Sequence, residues 1–171
     1  LSTTLVPFDL GASGLELLII DTQAHHALVD GEYAKRRSAC ESASRKLNIS
    51  SLRDITLESL EERKGLLSDE EFMRAHHAVS EMARVLAAVT VLEQRDFLAL
   101  GSLISQSHIS LREEYEISCP ELNCAVDVAL AHGALGARMV GGGFGGSAIA
   151  LATHGQIEAI KGAITNAFIE E

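Results

Sequence analysis

Ala137-Arg138-Met139-Val140-Gly141-Gly142-Gly143-Phe144-Gly145-Gly146-Ser147-Ala148-Ile149-Ala150-Leu151-Ala152-Thr153 is the stretch on which the fold turns. Two short apolar runs, residues 137–140 and 147–153, flank a loop that holds five of the chain's 14 glycines. Short apolar runs bounded by turn residues are the signature of buried strands, so the segment is a strand–loop–strand unit. The string also satisfies G-x-G-x-x-G at Gly141, Gly143 and Gly146. A dinucleotide fingerprint, however, must leave a strand and open a helix whose N-terminus holds the pyrophosphate. Here a second strand follows, and the next acid, Glu158, falls inside a predicted helix. A Walker A loop is excluded as well, because no Lys-Ser/Thr pair follows. Glycine admits positive φ and close backbone approach. Two readings therefore stand: a turn packed against a phosphate-binding element, or a purely structural hairpin.

Upstream, Leu15-Glu16-Leu17-Leu18-Ile19-Ile20-Asp21 follows the turn residues Gly11-Ala12-Ser13-Gly14 and is a second buried strand. Residues 1–6, ahead of Pro7, are expected to form a further edge strand. From a cap at Asp30 to Leu47 the pattern is helical but polar, with Lys35, Arg36, Arg37, Arg45 and Lys46. Residues 48–65 form a loop carrying a short charged helix over 57–64. Ser68-Asp69-Glu70-Glu71 is a capping box, in which the Ser hydroxyl and the Glu carboxylate satisfy each other's backbone amides. Phe72, Val79, Met82, Leu86 and Val89 then form one apolar stripe. A helix over 96–114 turns Leu100, Leu103, Ile104 and Leu111 inward. Another opens at Ser118-Cys119-Pro120-Glu121, read as a second capping box with Pro early in the first turn. Thr153 is read as the cap of a last helix with Ile157, Ile160, Ile164 and Phe168 on one face. This order predicts an α+β domain, a small antiparallel sheet with helices packed mainly on one face.

The chain has 171 residues, 47% of them hydrophobic, and a formal net charge of −10. That length suits one domain burying roughly two-thirds of its unfolded surface. An acidic balance without a Lys/Arg cluster argues against nucleic acid and anionic membrane as partners. No apolar run approaches the roughly 18 residues of a membrane span. The start, Leu1-Ser2-Thr3-Thr4-Leu5, lacks the basic and apolar regions of a secretory signal, and without an initiator Met it suggests a piece of something longer. Three cysteines, Cys40, Cys119 and Cys124, make neither a disulfide framework nor a zinc pair of pairs. A reduced, cytoplasmic chain is the expectation.

No constellation of catalytic residues emerges. Adjacent histidines on a helix diverge by about 100°, so the doublets His25-His26 and His76-His77 do not converge on a metal. His108 and Arg112, at i and i+4, suggest a structural hydrogen bond. Glu61-Glu62 and Glu113-Glu114 are expected on exposed faces, where carboxylates lack the shifted pKa of acid–base catalysts. Arg36 and Arg37 could bind phosphate, but solvated or paired helix-surface arginines are the plainer reading. Cys119 and Cys124 are expected in the core. Tyr33 is either an interface aromatic or a ligand contact.

Three segments together resemble the galactokinases of the GHMP small-molecule kinase family. The first is Asp21-Thr22-Gln23-Ala24-His25-His26-Ala27-Leu28-Val29-Asp30-Gly31-Glu32-Tyr33-Ala34-Lys35-Arg36-Arg37, with its E-Y-x-x-R-R helix start. The second is Ser107-His108-Ile109-Ser110-Leu111-Arg112-Glu113-Glu114-Tyr115-Glu116, continuing to Ser118-Cys119-Pro120-Glu121-Leu122. The third is Gly136-Ala137-Arg138-Met139-Val140 with the glycine loop. The resemblance implies a ferredoxin-like GHMP C-terminal domain over residues 1–171. It implies a two-domain enzyme that transfers the γ-phosphoryl of ATP, with Mg²⁺, to the 1-hydroxyl of galactose. The catalytic Asp and Arg, the sugar signature and the phosphate-cradling loop belong to the family's N-terminal half, absent from this chain. The chain alone would therefore hold no catalytic residue and no metal, and would be inactive. In the family Tyr33 would contact the sugar, and Gly141, Gly142, Gly143, Phe144, Gly145 and Gly146 would support the phosphate loop. Val140 stands where Thr is common, losing a hydroxyl beside the loop, and Asn123 where Asp is common. Kinases for N-acetylgalactosamine or arabinose, and a free-standing sugar-binding or regulatory module, are the alternatives. The face that meets the missing half would be open to self-association.

Overall fold

The structure, a computed structural model, describes residues 5–24 and 31–169. Strand β1 (Leu15–Asp21) leads, through a segment that includes residues 25–30 outside the description, to helix α1 (Glu32–Lys46). Helices α2 (Leu57–Glu62), α3 (Asp69–Glu93), α4 (Phe97–Glu113) and α5 (Pro120–Ala131) follow. Strands β2 (Gly136–Val140) and β3 (Ser147–Thr153) and helix α6 (Ile157–Ile169) complete the chain.

The strands form an antiparallel sheet in the order β1–β3–β2. The register pairs Ile20 with Ala148 and Leu18 with Ala150 on one side, and Ala137 with Ala150 and Met139 with Ala148 on the other. Partners across an antiparallel ladder share a face, so these residues all point the same way. Ala148, Ala150 and Ala152 keep the middle of that face flat. Val126 and Ala129 of α5, Ile157, Ile160 and Ile164 of α6 and Leu111 of α4 close over it in one core. On the opposite face, among the described residues, Leu15 and Leu151 meet Leu100 at one end, and Arg138 reaches Ser107 of α4. Farther along, Ile19 is left 70% exposed and Leu17 is exposed too. A second core joins α1, α2 and α3 through Ala43, Leu47, Leu60, Ala75 and Val79.

Local signals account for most boundaries. Ser68 accepts the Glu71 amide while Glu71 accepts the Ser68 amide, so the capping box forms in full. The Asp96 carboxylate accepts the Ala99 amide and opens α4. Four readings need correction. Leu5 and Val6 are not in a strand, and residues 1–4 lie outside the description, as does the cap expected at Asp30. Ser118 makes no capping box. Pro120 is the first helical residue, Cys119 holds the cap position without a side-chain cap bond, and the Ser118 hydroxyl turns instead to Asn123 Oδ1, 2.7 Å away. Thr153 ends β3 rather than capping α6, and its hydroxyl donates to Gln156 Oε1 at 2.9 Å across a turn. Leu86, placed on the inward stripe of α3, is 72% exposed. The buried side of that helix is instead largely polar, with Glu71, Arg74, His77 and Ser80.

Candidate functional site

The end of β1, the first turns of α1, the link between α4 and α5, and the glycine loop converge at one end of the sheet. Residues 141–146 cannot follow an ordinary strand path: φ is +92° at Gly141, +85° at Gly143, +136° at Gly145 and +90° at Gly146, with Phe144 at +60°. Such values favour glycine and are strained for a side chain as large as Phe. Gly143 is also needed for space, since a Cβ there would lie 2.4 Å from the carbonyl oxygen of Ile117. Gly141 and Gly142, by contrast, are exposed, with nothing within 4 Å of where a Cβ would stand.

Two anchors hold the loop. At its end, the Thr22 amide and hydroxyl both donate to the Gly146 carbonyl, at 3.1 and 2.6 Å, and the Gly146 amide donates to Ala24 at 3.3 Å. At its centre, the Phe144 amide donates to the Ile117 carbonyl at 2.7 Å. Ile117 follows Glu116, itself at φ +53°. Two buried arginines grip this link. Arg36 of α1 donates from Nε to the Tyr115 carbonyl and from Nη2 to the Glu116 carbonyl, both at 2.6 Å. Its Nη1 returns to Glu32, on the carboxylate at 2.7 Å and the carbonyl at 3.0 Å. The same guanidinium lies over the Phe144 ring, 5.0 Å from its centroid. Arg74 of α3 donates to the Glu114 carbonyl and to the Glu116 carboxylate. Lys35 and then Arg36 hold the Glu32 carboxyl below its ordinary range.

Tyr33 stands in the first turn of α1, 67% exposed, three residues before Arg36. The structure thus brings the α1 turn that bears Tyr33 and the glycine loop to one end of the sheet. Of the two arginines expected on the helix surface, Arg37 is exposed and pairs with Glu41 at 2.9 Å, but Arg36 is 5% exposed, which corrects that reading. His25-His26 lie outside the described residues. His76 and His77 diverge: His76 Nδ1 is 2.7 Å from Glu114, while His77 is buried, 2.7 Å from the Ser110 hydroxyl and stacked on Tyr115. Burial lowers the His77 pKa to about 4. His108 does not reach Arg112. Its Nδ1 accepts the Met139 amide at 3.3 Å, while Arg112 pairs with Glu113 and Asp127. Glu114 is less exposed than expected, because it receives the Ser110 hydroxyl as well as His76. Cys119 and Cys124 are half-buried, Cys119 packing against the larger core.

Among the described residues no group of three or more His, Cys, Asp or Glu is arranged to hold a metal ion, and no helix is long and apolar enough to cross a membrane. Sequence reasoning names Phe144 with the loop and weighs Arg36 for phosphate, but it misses the buried anchoring role of Arg36 and misses Arg74 and Thr22 as site residues, because their partners are distant backbone carbonyls.

Residues 87–170 match the family model described as GHMP kinases C terminal. The chain is 46% identical over 170 residues to a galactokinase of Streptomyces coelicolor, covering 98% of this chain and 44% of that protein. It is 45% identical over 152 residues to a galactokinase of Homo sapiens, covering 88% of this chain and 38% of the relative. A crystal structure of Lactococcus lactis galactokinase complexed with galactose superposes with a TM-score of 0.87 at 31% identity, over 92% of this chain and 42% of that one. A crystal structure of L. major mevalonate kinase in complex with R-mevalonate shares the fold, with a TM-score of 0.57 at 24% identity over 89% of this chain and 38% of that one. The chain therefore spans less than half the length of the curated relatives it matches.

Proposed function

Since the chain belongs to the GHMP kinase family and its similarity is to galactokinases, we propose that it is the C-terminal half of an enzyme that transfers the γ-phosphoryl of ATP to the 1-hydroxyl of galactose. The observation that carries the reading is the convergence of the Tyr33 turn and the glycine loop at one end of the sheet, in a chain so similar to galactokinases. In this reading Tyr33 contacts the sugar. The loop from Gly141 to Gly146 backs a phosphate-binding element on the other half, and the open space beside Gly141 and Gly142 suits such an approach. Phosphoryl transfer depends on positioning and charge stabilisation. The groups that stabilise charge, an Asp, an Arg and the phosphate-cradling loop, are assigned to the other half. ATP with Mg²⁺ supplies the phosphoryl group. In this reading the cation is held mainly by the phosphates of ATP and by the other half. The protein works in the cytoplasm.

A galactokinase-length protein carrying this sequence is expected to convert ATP and galactose to galactose 1-phosphate in preference to N-acetylgalactosamine or arabinose. Tyr33→Ala in it should raise the KM for galactose. The 171-residue chain alone should give no product. Turnover by the chain alone would overturn the division of labour, and preference for another sugar would overturn the substrate. Tight sugar binding by the isolated chain would favour a free-standing module. The isolated chain is also expected to self-associate through the end bearing Tyr33 and the loop, with Leu17 and Ile19 open on the adjoining sheet. A strictly monomeric species by light scattering at high concentration would count against it.

A further inference from the structure

We infer that Arg36 is a positioning residue that couples the sugar-side turn of α1 to the glycine loop, a role that rests on the functions proposed for Tyr33 and that loop. Arg36 is nearly fully buried, and its planar fork is committed in three directions. Toward its own helix it holds Glu32, in the turn that carries Tyr33. Toward the α4–α5 link it donates to two consecutive carbonyls, those of Tyr115 and Glu116. Toward the glycine loop its face covers the Phe144 ring.

The middle contacts explain why these groups move together. Glu116 is held in the left-handed region, where a side chain is strained and stays only if its surroundings over-determine it. Arg36 fixes its carbonyl and Arg74 its carboxylate. The orientation of that residue sets where the next carbonyl, that of Ile117, points, and this carbonyl receives the Phe144 amide. Phe144 is itself at positive φ and flanked by glycines, so the loop contributes little rigidity of its own. Its shape is imposed from Ile117 on one side, from Thr22 and Ala24 on the other, and from the guanidinium beneath the ring. A lysine cannot replace this set. One ammonium is a point charge, whereas the guanidinium is a flat fork that donates to several carbonyls and stacks on an aromatic face at once.

The test has two arms. In the 171-residue chain, amide hydrogen exchange is followed at position 144 relative to Ile160, whose amide is bonded within the opening of α6. Arg36→Lys is expected to speed exchange at position 144 at least tenfold relative to Ile160. Phe144→Leu, which removes only the ring, should speed it as well, and the double variant should do little more than Arg36→Lys alone. Arg37→Lys, on the exposed neighbour, should change nothing. In the galactokinase-length protein, Arg36→Lys is expected to lower kcat at least tenfold and to raise the KM for galactose and for ATP together. Position-144 exchange within twofold of the parent in both Arg36→Lys and Phe144→Leu would overturn the coupling, as would an Arg36→Lys enzyme with parental constants. If the parent enzyme does not phosphorylate galactose, the proposed function fails while the exchange arm still decides the role of Arg36.

Discussion

At Gly143 two separate demands fall on one residue, a backbone at φ +85° and a carbonyl oxygen 2.4 Å from any Cβ. Gly142, one residue earlier, meets neither. Gly143→Ala is therefore expected to cost about 3 kcal/mol in urea unfolding of the chain, from overpacking against backbone together with a strained φ. Gly142→Ala should stay within about 0.5 kcal/mol of the parent. Equal effects would show that the loop does not need Ile117. His77 gives a pH-dependent counterpart. Burial holds its pKa near 4 against an ordinary 6.5, with Glu81 and Glu114 opposing that shift and Arg84 and Arg138 reinforcing it. The neutral ring is favoured in the fold and the unfolded chain binds the proton more readily, so stability is lost as pH falls from 6.5 toward 4. A loss on the order of 3 kcal/mol across that window is the expected share of this residue, and His77→Gln should flatten the urea-derived profile there. A variant with the parent's slope would refute the assignment.

Helix packing shows how far one-dimensional pattern carries. The Ser68–Glu71 box was legible because both partners lie in one helical turn. The stripe that follows it was legible in part: Phe72, Val79 and Met82 pack into the second core but Leu86 is exposed, because apolar spacing identifies a face without saying how far a partner extends along it. A second side of α3, which no apolar pattern marks, is buried through Arg74, His77 and Ser80 against the α4–α5 link and α4. A crossing that no sequence pattern singles out lies where α4 passes β2. A Cβ on Gly101 would stand 2.1 Å from the Leu135 carbonyl, and one on Gly136 would stand 2.1 Å from that of Gly101. The two backbones touch, so Gly101→Ala is expected to cost about 3 kcal/mol or more even though Ala is the better helix former. A more stable Gly101→Ala chain, judged by its thermal midpoint, would mean that helix propensity outweighs the clash.

Over the whole molecule, the sheet is closed by α5 and α6 on one face and left partly open on the other, where Leu17 and Ile19 meet solvent. If that face drives association of the isolated chain, Ile19→Lys should shift light scattering toward monomer without lowering the thermal midpoint, and unchanged association would place the contact elsewhere. The α+β class, the three strands, the long capped helix and the glycine loop could be read from the sequence alone, because each follows from side-chain periodicity or backbone freedom over a few neighbouring residues. Family resemblance could be read as well, since short motifs in fixed order survive without coordinates. What only the tertiary structure decided is which polar residues are interior. Arg36 and Arg37 are neighbours of one type on one helix, yet one is buried beneath Phe144 and the other is in solvent. That difference is set by carbonyls some 80 residues away in sequence, and no local pattern records which distant backbone a guanidinium will meet.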